Sequence, residues 1–188
     1  MKTKVIMGIM LMLFLMSMFS VSATAIPEKA VMRQELAQVR QATTKYHDEA
    51  EALADGYVPV SPHVPGMGAH YINFAILDET FDLEHPEILL YSLTEGDGPK
   101  LVGMEYVVTS IEAPEGFPGD SDEWEIHPAS CHYEDGYEIV EPNPVNCPAT
   151  SPGGAPLALW HPDLQALHVW IWRANPDGIF EPFNPNVP

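Results

Sequence analysis

The sequence predicts an α+β domain in which one long N-terminal helix packs on a curved, mainly antiparallel sheet of roll or cone-like form. Three observations carry that prediction. Met32, Leu36, Val39, Thr43, Tyr46, Ala50 and Leu53 recur at steps of four and three, which builds one apolar helical stripe. Four later stretches, Ala69 to Leu77, Ile88 to Leu93, Leu101 to Ile111 and Gln165 to Trp172, are rich in β-branched and aromatic residues. Turn chemistry separates them, Asp97-Gly98 after the second and Asn175-Pro176-Asp177-Gly178 after the fourth.

The chain begins with Lys2 and Lys4, an apolar run from Val5 to Phe19, and small residues at Ala23 and Ala25. This is the pattern of a secretory signal peptide, residues 1–25, with an uncleaved anchor as the lesser reading. Residues 26–188 then have the length of a single domain with an adequate core. With Lys2 and Lys4 removed, six basic residues stand against 27 acidic ones, a formal charge of −21. A surface of that sign repels nucleic acid and anionic membranes and suits cations or a saline exterior. The protein is expected to be exported, with no membrane contact after cleavage.

Within the predicted helix, Pro27 suits the first turn and Gly56 follows the end. His47 is placed at the edge of the stripe, as a partly exposed surface histidine. Asp55 to Gly68 reads as a Pro- and Gly-rich loop containing His63. In the strand that follows, alternation puts His70, Ile72, Phe74 and Ile76 on one face. Asp78 to Glu87 lacks the spacing of a helix-loop-helix calcium site and reads as a solvated acidic loop. The strand after Asp97-Gly98 returns as a hairpin partner, with Leu101, Gly103, Glu105, Val107 and Thr109 on one face.

Residues 114–155 read as an irregular insert with one short strand, Tyr137 to Val140, and Ala155 to His161 reads as a short edge strand. Cys131 and Cys147 are the only cysteines and bracket a loop rich in Pro and Asn, so a disulfide is expected. The competing assignment makes them thiolate ligands beside His127 and His132. The last strand alternates His168, Trp170 and Trp172 against Leu167, Val169 and Ile171. Both faces are mostly apolar, which predicts an interior position.

Three strands therefore each carry one polar residue in an apolar setting: His70, Glu105 and His168. Two imidazoles and a carboxylate are a ligand set for zinc, iron or copper, and one divalent transition metal would relieve the burial cost of all three. A loop histidine or water would complete the shell. The competing expectation is that each residue is satisfied separately, the histidines by carbonyls or tyrosines and Glu105 by an arginine. No nucleophile elbow, phosphate loop or helical zinc motif is present to name a reaction. The function expected is therefore an exported metal-binding protein, with storage, delivery and catalysis all open. The alternative is a metal-free module that binds a small apolar ligand or a protein partner through an aromatic sheet face; Trp124, Trp160, Trp170 and Trp172 are the tryptophans that could line a ligand groove, although tryptophans alternating on a strand are more often core.

The segments MGAHY (67–71), HPEILLY (85–91), LVGMEYVV (101–108) and HVWIWRANPDGIF (168–180) together resemble a family of small exported proteins of unassigned function. The likeness spans most of the chain after residue 25, apart from the cysteine-bearing insert. It implies that the four segments form one unit, and it transfers no catalytic residues.

Overall fold

A computed structural model describes residues 27–188, apart from residues 95, 97, 120, 121 and 123. The predicted signal peptide and Asp97 of the predicted turn lie outside the described residues. The fold is α+β, with helices on one face of a six-stranded antiparallel sheet and a second, three-stranded antiparallel sheet.

The helical stripe folds as predicted only as far as Tyr46. Helix α1 (Glu28–Thr43) runs into a 3-10 turn, Thr44–His47, and the chain then breaks at Asp48 before a short helix, α2 (Glu49–Ala54). Asp48 is extended, with φ −92° and ψ 109°, and its side chain accepts a hydrogen bond from the Ala50 N–H. That cap offers the backbone an exit from the helix, so the predicted single helix is two pieces. The break also shifts the phase of the stripe. Ala52 is buried and Leu53 and Ala50 are exposed, the reverse of the sequence expectation.

The large sheet contains β1 (Val58–Pro59), β2 (Ala69–Ile72), β3 (Ile88–Ser92), β4 (Lys100–Val108), β5 (Glu125–His127) and β9 (Leu164–Val169), in the order β1-β2-β3-β4-β9-β5. Strands β1 and β5 are its edges, so the sheet is not closed into a barrel. Strand β9 lies inside, between β4 and β5, and both of its faces are buried, Leu167 and Val169 against the helical layer and Ala166 on the opposite face with Val187.

Strand β2 is shorter than its apolar run. Asn73 ends it by accepting from the Ala75 N–H and donating to the Asp55 carbonyl, which leaves Phe74 exposed and off the strand. At the other end, Gly68 has φ +91°, and a Cβ there would lie 2.7 Å from the Tyr91 carbonyl oxygen, so only glycine fits.

One face of the large sheet holds Tyr71, Leu89, Tyr91, Met104, Tyr106, Leu167 and Val169 against Val39, Tyr46 and Ala52 of the helical layer. The opposite face holds Ile72, Ile88, Leu90, Val107, Ala166 and Trp170, with Val187 from the C-terminal segment. Two residues depart from simple alternation. Leu90 pairs with Gly103 while Tyr91 pairs with Leu101, so Val102 is an extra residue in β4 and Leu101 turns to the helix side, away from Glu105. Strand β9 ends at Val169, and Trp172 then packs on the helix side, where its Nε1–H donates to Thr43.

The predicted irregular insert is more ordered than its composition suggests. Strands β6 (Ser130–Tyr133), β7 (Glu138–Val140) and β8 (Leu157–His161) form the small sheet, in the order β7-β6-β8. The Cys131–Cys147 disulfide forms, with 5.8 Å between Cα atoms, which excludes thiolate ligation by this pair. Among the described residues no helix is long and apolar enough to cross a membrane.

Candidate metal centre

The sheet face opposite the helices brings the three anomalous residues together. Glu105 on β4 is the direct ladder partner of His168 on β9. His70 on β2 reaches the same place across β3, where its ladder partner Leu90 is in turn opposite Gly103, two residues from Glu105. The absence of a side chain at Gly103 matters here. A Cβ would approach Trp170 to 2.9 Å and the Val169 carbonyl oxygen to 3.0 Å, so glycine lets the Trp170 ring lie over β4, stacked with His168 at 5.9 Å between centroids.

Nε2 of His70 lies 3.6 Å from a carboxylate oxygen of Glu105, and Nε2 of His168 lies 3.9 Å from the same oxygen. All three donor atoms fall within 4.8 Å of one another. These gaps are too long for hydrogen bonds. They match donors that share an ion: with bonds of about 2.1 Å and near-tetrahedral angles, ligand atoms sit about 3.4 Å apart. Nε2 of His168 is buried and has no hydrogen-bond partner among the described residues. Such an orphan costs roughly 1–3 kcal/mol, which coordination would recover.

The protonation states suit ligation by two neutral imidazoles. Burial first, then the neighbouring His127 and His132, pushes His70 down to about 4. Burial, then His70 and His127, takes His168 down to about 3. Burial, then Glu125 and Glu87, raises the Glu105 carboxyl to about 8. The ring of His70 is further oriented by Ser61, whose hydroxyl oxygen lies 3.0 Å from Nδ1, accepts from the His70 N–H and donates to the Pro62 carbonyl. With its proton committed to Pro62, the hydroxyl accepts from Nδ1–H, and the Nε2 lone pair is left facing Glu105. Ser61 also lines a cleft of about 490 Å³ together with Val58, Val60, Phe74, Glu134 and Leu159.

Other residues singled out in the sequence stand elsewhere. His63 is half-buried, bonded to the Pro188 carbonyl and to the Leu93 N–H, and takes no part in the centre. His47 is on the surface against Trp172, as expected. Trp170 is buried with its Nε1–H donated to the Glu181 carbonyl, and Trp160 donates to the Glu141 carbonyl. Comparison with protein-family models, with curated proteins and with solved structures finds no match to this chain.

Sequence reasoning overlooked Ser61 and the buried Glu87, whose carboxylate accepts from the Val107 N–H. It also overlooked a second set of donors, His132, Glu138 and His161. Alternation along each strand was readable for the last set, but the ladder that aligns the three strands was not.

Proposed function

We propose that this chain is an exported metal-binding protein that holds one divalent transition ion, zinc, iron or copper, between His70, Glu105 and His168. The observation that carries the reading is the buried, unpartnered Nε2 of His168 directed at the buried Glu105 carboxylate, with His70 on its other side. Two neutral nitrogens and one carboxylate suit these ions better than calcium or magnesium, which take oxygen ligands. Three protein ligands leave a coordination position for water, a fourth donor or a substrate atom. The disulfide and the acidic surface support an extracytoplasmic setting.

Elemental analysis of protein purified without chelator or metal-affinity tag tests the reading. A stoichiometric transition metal is expected in the wild type and is lost in Glu105→Gln and His168→Ala, with circular dichroism confirming that the variants stay folded. Wild-type protein free of metal, or folded variants that keep the full complement, would overturn it.

A further inference from the structure

The small sheet carries a second convergence of ligand atoms. On β6, His132 faces Glu138 directly across the ladder to β7. On its other side β6 pairs with β8, where Leu159 is opposite His132 and His161 is opposite Ser130, so His161 is the diagonal neighbour on the same face. Nε2 of His161 lies 2.9 Å from Nε2 of His132, which in turn lies 3.9 Å from a Glu138 carboxylate oxygen.

The tautomer of His161 follows from its other nitrogen. Nδ1 lies 2.6 Å from the Pro162 carbonyl oxygen, which can only accept, so Nδ1 carries a proton and Nε2, which faces His132, is the nitrogen left to offer a lone pair to an ion. A ligating histidine has the same arrangement, one nitrogen donating to a carbonyl and the other offering its lone pair. The spacing also fits: cis donors about 2.0 Å from a tetragonal copper(II) ion are about 2.8 Å apart, and tetrahedral zinc requires about 3.3 Å. For zinc the two rings would separate by about 0.4 Å, and the Glu138 oxygen, at 3.9 Å from His132, would close towards the ion; both His132 and Glu138 are partly exposed side chains. Two constraints hold the strands that bear the ligands. The disulfide at Cys131 adjoins His132, and Trp160, next to His161, donates to the Glu141 carbonyl just past β7.

We propose that His132, Glu138 and His161 form a second binding site for a borderline divalent ion, zinc or copper(II), on the outer sheet. It is more exposed than the buried centre, with side chains of His132 and Glu138 that are 32% and 47% exposed, so its ion exchanges more readily. The site is built from its own three residues and shares no ligand with the centre at Glu105.

The test is equilibrium dialysis of the metal-stripped, disulfide-intact chain against Zn²⁺, in wild type, His161→Gln, Glu105→Gln and the double variant. His161→Gln is expected to lose one equivalent, or to weaken one equivalent at least tenfold, in both the wild-type and the Glu105→Gln background. That background separates the two sites: failure of the buried centre would leave the His161→Gln effect intact. Nitrogen-15 spectra of the wild-type imidazoles supply a readout free of any folding defect. Zn²⁺ should move the Nε2 signals of both His132 and His161 to the metal-bound range. An unchanged stoichiometry in His161→Gln, or ring signals that keep a donor–acceptor pattern in excess Zn²⁺, would show a plain imidazole–imidazole hydrogen bond and overturn the proposal.

Discussion

Proton release on metal binding distinguishes the buried centre from an ordinary cluster of two histidines and a carboxylate. The ion requires an ionised Glu105 and two neutral rings. With Glu105 at about 8, the metal-free site carries close to one proton between pH 5 and pH 7, nearly all of it on the carboxyl. With His70 at about 4 and His168 at about 3, the rings carry almost none at pH 5 and above. Binding should therefore expel about one proton at pH 6.5 and still about one at pH 5.

Groups at their usual values, 6.5 for each ring and 4.5 for the carboxyl, would also release about one proton at pH 6.5. They would release about two at pH 5, because both rings would then be charged. The assay is calorimetric titration of Zn²⁺ into the His161→Gln variant, in buffers of equal pH and different ionisation enthalpy. The slope of apparent enthalpy against buffer enthalpy counts the protons. A count that stays near one supports the buried arrangement. A count that climbs towards two as the pH falls to 5 refutes it.

Four further outcomes are expected. Glu105 has a folded value above its unfolded one, so its contribution to the metal-free fold is lost as pH rises from 4.5 towards 8. Thermal melts in chelator should therefore show Glu105→Gln gaining on the wild type across that window, and a constant difference would contradict the assignment. Ser61→Ala removes the group that orients the His70 ring and should weaken Zn²⁺ binding about tenfold with little effect on the melt, as read by competition with a chromophoric chelator. Gly103→Ala drives a methyl group into Trp170 and should cost about 1–3 kcal/mol in urea unfolding, with a shift in tryptophan emission. Replacing Cys131 and Cys147 by serine opens a link of 16 residues and should cost about 3 kcal/mol on chain-entropy grounds, measured by denaturant midpoint.

Local patterns were legible wherever local physics decides the outcome. The stripe from Met32 to Tyr46 became a helix because its apolar spacing buries one face, and the run around Leu167 became an interior strand because both of its faces are apolar. The two cysteines, the only pair in the chain, are brought to 5.8 Å between Cα atoms and form the expected disulfide. The sequence also singled out His70, Glu105 and His168, since a polar group amid apolar neighbours on a strand must find a partner. What it left out was decided by short polar groups and by register. Asp48 ended a stripe whose periodicity continued to Leu53, and Asn73 ended a strand whose alternation continued to Ile76. Both side chains satisfy backbone groups locally, a choice that periodicity does not record.

Only the tertiary structure decided that the three residues point into one place, and that His132, Glu138 and His161 share a face of another sheet. A strand's sequence determines which residues share its face, but which face meets which neighbour depends on ladder register. A single extra residue, as at Val102, reverses that assignment for everything on one side of it. Register is chosen by the burial of the whole sheet at once, so the partner that a lone histidine finds is a property of the assembled core and not of the strand that carries it.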